Sequence, residues 1–187
     1  MCQGCTFETD RLLVTPWHNA ALPTAVPIVA APSLSDDLAA IVMMVMSEPV
    51  TRTLPEPWRG PFDRSRAETW IAEVDAEATG LVVMERELRR AVGLMILFAE
   101  EISPEETELR VGYMLSEPHW GQGFASELIA GLVRWCRSTP SVTRVVAGVE
   151  RANAPSIRVL EKVGFAAEPN HAEHTVADEL SFALDVR

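Results

Sequence analysis

The chain has 187 residues, 48% of them hydrophobic and 23% charged, with a formal net charge of −11. That length suits one domain with a proper core and is short for two, so residues 1–187 are read as a single unit. The acidic balance argues against nucleic acid as a partner, because nothing offsets phosphate repulsion, and it suits a cationic amine.

The three cysteines, two of them in Cys2-x-x-Cys5, do not make a disulfide framework. Zinc would need two more ligands at sensible spacing, so no metal is expected, and the thiols are read as reduced in the cytoplasm. Arg11 to Trp17 reads as the first strand, ended by Pro16. The apolar stretch from Ala20 to Pro32 holds Pro23, Pro27 and Pro32, which forbid a regular spanning helix, and no basic segment leads into it. No membrane partner is therefore expected. Residues 18–34 are read as an ordered insertion that shapes an acceptor pocket or an interface.

Ser35-Asp36-Asp37 offers capping oxygens to a helix whose Leu38–Met46 segment is apolar on every side. Such a helix is sandwiched in protein or covered by a second subunit, so this helix or the insertion before it is read as making a homodimer contact or closing the acceptor pocket. Met43, Met44 and Met46 are read as core filling. Thr51 to Pro61 is a proline-rich loop, with Trp58 as a lid over a hydrophobic patch. Asp63 caps a second helix with Ala67, Trp70, Ile71, Val74 and Ala78 facing inward, and Gly80 is expected to end it. Residues 81–84 and 92–98 read as strands joined by a charged turn, and the acidic segment 100–106 as a solvated loop.

From Glu108 the pattern sharpens. Leu109, Val111, Tyr113 and Leu115 alternate with Arg110, Gly112, Met114 and Ser116, the period of a strand with one well-buried face; Tyr113 is read as packing. Gly121 and Gly123 precede a helix marked by Phe124, Leu128, Leu132 and Trp135. Two glycines there serve either a tight turn or the convergence of bare N–H groups on a phosphate. Residues 142–149 form the next strand, which should lie parallel to 108–116 because a helix separates them. Asn153 and Pro155 start the last helix, Gly164 stops it, and residues 180–186 close the sheet.

Trp120-Gly-Gln-Gly-Phe-Ala-Ser-Glu127, followed by Asn153-Ala-Pro-Ser-Ile-Arg-Val-Leu-Glu-Lys-Val-Gly-Phe165, resembles the GNAT superfamily of acyl-CoA-dependent N-acetyltransferases. The closer likeness is to its Rim-type ribosomal-protein branch. Gly123 and Ala125 match the family loop, while Trp120 stands where Gln or Arg is usual. The resemblance implies an α/β (α+β) fold: a mixed sheet of about seven strands, mostly antiparallel with one splayed parallel pair, under about four helices. It also implies acetyl-CoA as acyl donor. The N–H groups of Gln122, Gly123, Phe124 and Ala125 would hold the pyrophosphate, Met114 and Leu115 would meet the pantetheine arm, and Asn153 would contact the coenzyme. Ser156 would serve the departing thiolate. Glu108 or Glu173, the latter near His171 and His174, would take the amine's proton. Three functions stay open: acetyl transfer to a peptide N-terminus or small amine; transfer of a bulkier acyl group such as succinyl, or to an antibiotic amine; and non-catalytic coenzyme binding.

Overall fold

The computed structural model describes residues 5–18, 38–169 and 179–187. The Ser35–Asp37 cap, the insertion before it and the segment holding His171, Glu173 and His174 lie outside the described residues. One eight-stranded sheet runs through the rest in the order β1-β2-β3-β4-β5-β6-β8-β7. Its strands are β1 (Phe7–Glu8), β2 (Leu12–Pro16), β3 (Thr79–Glu85), β4 (Arg90–Ser103), β5 (Glu106–Leu115), β6 (Val142–Glu150), β7 (Ala166–Glu168) and β8 (Glu179–Asp185). The short β1 and β7 carry no periodicity of their own and exist because a neighbour pairs with them. All neighbours are antiparallel except β5 and β6.

Among the described residues five α-helices cover the sheet: α1 (Leu38–Val45), α2 (Glu48–Thr51), α3 (Arg64–Glu77), α4 (Phe124–Arg137) and α5 (Ala154–Val163). Because side chains alternate across a strand, the sheet feeds two cores. One face packs Val83, Met95, Leu109 and Val145 with Leu128 and Leu132 of α4 and Leu160 of α5. The other packs Val82, Leu94, Ile96 and Met114 with Val42 of α1 and with Trp70 and Val74 of α3. On this second side Trp58 and Phe62 meet Trp70 edge-on, with centroids 5.6 and 6.1 Å away, so Trp58 does cover a hydrophobic patch.

Three expectations are corrected here. Helix α1 is not buried all round: Ala39, Val42 and Val45 face the core, whereas Met43 and Met44 are exposed, leaving only Met46 of the three methionines as core filling. Gly80 does not end α3, which stops at Ala78, and already lies in β3. A Cβ on Gly80 would fall 2.1 Å from the Trp17 indole, so the glycine is there to let that ring lie on the strand. The acidic segment is a hairpin, with Glu100 opposite Glu108 and Ser103 opposite Glu106, because its carboxylates reach water without interrupting main-chain pairing. The mixed sheet with one parallel pair is as expected; among the described residues the four-residue α2 and one of the short strands β1 and β7 bring the approximate counts to five helices and eight strands.

Candidate active site

The parallel pair is joined over only part of its length. Thr107 to Arg110 pair with Val142 to Val146, and beyond that β5 runs to Leu115 and β6 to Glu150 without facing each other in register. The far half of β5 thus presents an edge with free main-chain groups toward the gap, which in a buried setting need partners. A cleft of about 640 Å³ opens there. It is walled by Tyr113, Met114 and Leu115 of β5, by the loop and first turn of α4, by the first turns of α5, and by Pro49, Val50, Arg52, Thr53 and Leu54 around the end of α2.

Gly121 and Gly123 both have positive φ (71° and 82°), and Gly123 is the N-cap of α4 without any side-chain cap. The first helical N–H groups, at Phe124, Ala125 and Ser126, therefore lack intrahelical acceptors where the helix dipole favours an anion. Gly121, Gly123, Phe124, Ala125 and Ser126 line the cleft; Gln122 does not, and its side-chain amide donates to the Pro118 carbonyl at 2.7 Å. An added Cβ at Gly123 would point to Arg11 Nη2, 3.5 Å away, so its own φ, not occupation of an anion's place, demands glycine. The Trp120 indole N–H donates to the Leu115 carbonyl at 2.7 Å and ties the loop to the strand end.

From outside, the loop is braced by residues that sequence reasoning passed over. Arg11 Nη1 donates to the Gln122 carbonyl at 3.0 Å, and its Cζ lies 4.3 Å from the Phe124 ring centre. Its Nε and main-chain N–H donate to the Glu127 carboxylate at 2.6 and 2.7 Å, and Thr9 Oγ1 donates at 2.5 Å. Burial works against ionisation of Glu127, but the hydrogen bonds from Thr9 and Arg11 outweigh it and hold the carboxyl below its ordinary value. Glu127 closes the Trp120–Glu127 motif, but nothing next to it in the chain announces Thr9 or Arg11 as its partners.

Asn153 caps α5, its Oδ1 accepting the Ser156 N–H at 3.2 Å. The capping role is thus filled by Asn153, which leaves the Ser156 hydroxyl available; both residues line the cleft. Tyr113, read from alternation as packing, is half-buried with its phenol in the cleft wall, and its hydroxyl is buried without a hydrogen bond of ordinary geometry among the described residues. Burial pushes that phenol's pKa up, against a smaller opposing pull from the Ser156 side chain beside it. His119 is buried, shares a 2.7 Å hydrogen bond with the Ser116 hydroxyl, and has its pKa lowered by burial and then by Arg90, so it is neutral at pH 7. Arg158 and Lys162 add exposed positive charge along α5.

Glu108 is not brought to this cleft. Its carboxylate lies 3.2 Å from Arg144 Nε at the joined end of the parallel pair, where Arg144 also binds Glu168 and, at 3.4 Å, Asp185. Among the described residues no carboxylate lines the cleft.

The family description "Acetyltransferase (GNAT) domain" matches residues 29–166. An uncharacterised N-acetyltransferase, p20, from Bacillus licheniformis is 37% identical over 67 residues, 36% of this chain and 38% of that protein, so the match spans well under half of the relative. A RimL ribosomal alpha-N-protein acetyltransferase solved with coenzyme A superposes with a TM-score of 0.68 at 16% identity, over 96% of this chain and 97% of that one. A spermidine N-acetyltransferase from Vibrio cholerae, solved with coenzyme A and spermine, gives 0.65 at 16% identity, covering 94% and 95%. Among the described residues no helix is long and apolar enough to cross a membrane.

Proposed function

The chain belongs to the GNAT acetyltransferase family, and from that premise we propose that it moves an acetyl group from acetyl-CoA to a primary amine, on a peptide N-terminus or a small cationic molecule. The observation that carries this reading is that one cleft gathers the uncapped start of α4, the unpaired edge of β5 and the start of α5. The N–H groups of Gly123, Phe124 and Ala125 hold the pyrophosphate, with Gln122 shaping the turn from behind. The edge at Met114 and Leu115, whose Leu115 carbonyl also accepts from Trp120, takes the amides of the pantetheine arm. Asn153 fixes the start of α5, and Arg158 and Lys162 face the nucleotide's charge.

Acyl transfer forms a bond from the amine nitrogen to the thioester carbon and breaks the carbon–sulfur bond, leaving its electron pair on sulfur. The nitrogen sheds a proton and the sulfur gains one. Ser156 supplies the hydrogen bond that the sulfur needs as charge develops on it. Glu173 is the carboxylate we assign to the nitrogen's proton, and Glu108 belongs to the Arg144 cluster instead. The net charge of −11 favours cationic acceptors by long-range attraction.

The test is release of coenzyme A from acetyl-CoA and succinyl-CoA against peptides, polyamines and aminoglycosides. Turnover with acetyl-CoA and an amine is expected. In Ser156→Ala, kcat should fall about ten- to a thousandfold with the KM for acetyl-CoA little changed. Coenzyme binding without turnover of any acyl donor would leave a binding module, and preference for succinyl-CoA would leave a different transferase.

A further inference from the structure

Three buried side-chain polar atoms have no hydrogen-bond partner among the described residues: Ser47 Oγ, Trp70 Nε1 and Tyr113 Oη. Of these residues Tyr113 alone lines the cleft. A buried hydroxyl left unpaired is costly, and native proteins keep few of them without a use. We propose that Tyr113 is a positioning residue for Ser156: its phenol O–H donates to the serine oxygen, so that the serine's own proton is turned toward the departing sulfur. The inference rests on the acyl-transfer reading given above.

Three observations support it. Tyr113 projects from the free half of β5 and Ser156 from the first turn of α5, so both side chains line one cleft where those elements flank it, and the serine side chain is near enough to act on the phenol. A serine hydroxyl has two lone pairs and one proton, and its proton direction is free until something occupies a lone pair. Asn153 engages the serine's main-chain N–H only, so it leaves that rotation unset. Burial raises the pKa of the phenol, which therefore keeps its proton and acts as a donor, not as a base. The phenol stands outside ordinary hydrogen-bond geometry with any side chain among the described residues, and such contacts commonly tighten on substrate binding. No proton leaves Tyr113 in this scheme. The hydrogen bond from tyrosine to serine strengthens the one from serine to sulfur, and the proton that finally reaches sulfur balances the one lost by the amine.

The experiment compares the parent, Tyr113→Phe, Ser156→Ala and the double variant in coenzyme A affinity, melting temperature, kcat, and the pKa of the bound coenzyme's thiol. The last is read by NMR from carbon-13 placed beside the sulfur. Tyr113→Phe should bind coenzyme A like the parent and melt at or above the parent's temperature. Its bound thiol pKa should rise, and kcat should fall about tenfold. The double variant should be no worse than Ser156→Ala alone, because Tyr113 acts through that serine. Tyr113 is the only tyrosine in the chain, so growth on fluorotyrosine acidifies this one phenol and should move the thiol pKa the opposite way. A thiol pKa unmoved by either replacement, or losses that multiply in the double variant, would overturn the proposal. A parent that binds no coenzyme A would sink the acyl-transfer reading and this inference with it. A parent that binds it but acetylates no amine would sink acetyl transfer alone, and the thiol pKa would still decide the role of Tyr113.

Discussion

The two halves of the β5–β6 pair are built from the same kind of strand and have opposite characters. At the joined half, Arg144 gathers Glu108, Glu168 and Asp185, so that adjacent strands and the following segment are pinned by charge as well as by main-chain bonds. At the open half, β5 ends in an unpaired edge and β6 ends at Glu150, whose carboxylate is taken by Arg59 from the proline-rich loop and not by β5. The difference shows how a sheet can be prised open at a chosen point. Ionic contacts hold one end in register, and the helices that begin at the other end supply polar main chain to the gap.

The comparison breaks most severely at the open end. Gly123→Val forces a β-branched residue to a φ of 82° and should abolish most of the melting-temperature rise that acetyl-CoA gives the parent. An equal rise in variant and parent would mean that the loop is not where coenzyme binds. Breaking the joined end should act on stability instead. Arg144→Leu leaves three carboxylates without their cation and should cost about 1–2 kcal/mol in urea unfolding, a value kept low because the guanidinium is about a third exposed. Its kcat per folded molecule should stay near the parent's, and a fall as deep as that of Ser156→Ala would put the cluster in the chemistry. The smallest change sharpens the contrast. Glu108→Gln should lower stability by less than about 1 kcal/mol and leave the pH–rate profile in place. If Glu108 were the base that accepts the amine's proton, the same variant would lose rate at neutral pH and regain it at high pH, where the amine is already neutral.

Much of this architecture was legible from local pattern. The central strand, the glycine turn, the Asn153 cap and the stop at Gly164 each follow from a few adjacent residues whose backbone needs are specific. What escaped depends on residues distant in the chain. Gly80 read as a helix stop because nothing near it announces that the Trp17 ring will lie across its Cα. Glu108 comes from the resemblance as one of two candidate bases, and its pairing with Arg144 of the next strand is revealed only by register. The acidic hairpin read as a loop because solvated carboxylates give no periodic signal while their main chain goes on pairing. Tyr113 did alternate with buried residues, but alternation cannot tell a ring in the core from one whose hydroxyl ends in a cleft.

The brace behind the glycine loop joins residues 116 apart in the chain, Arg11 to Glu127. As the polypeptide is synthesised, Arg11 is made before Glu127 and waits for it before either can settle, and closing so long a segment is entropically slow. The turn's shape is local, but the rigidity of its donors is borrowed from the chain's beginning. If the loop holds the coenzyme as proposed, coenzyme affinity would report on whether Arg11 and α4 have met: a protein that has its helices and central sheet but has not docked the segment before β2 would pass a spectroscopic check of secondary structure and still grip the coenzyme poorly.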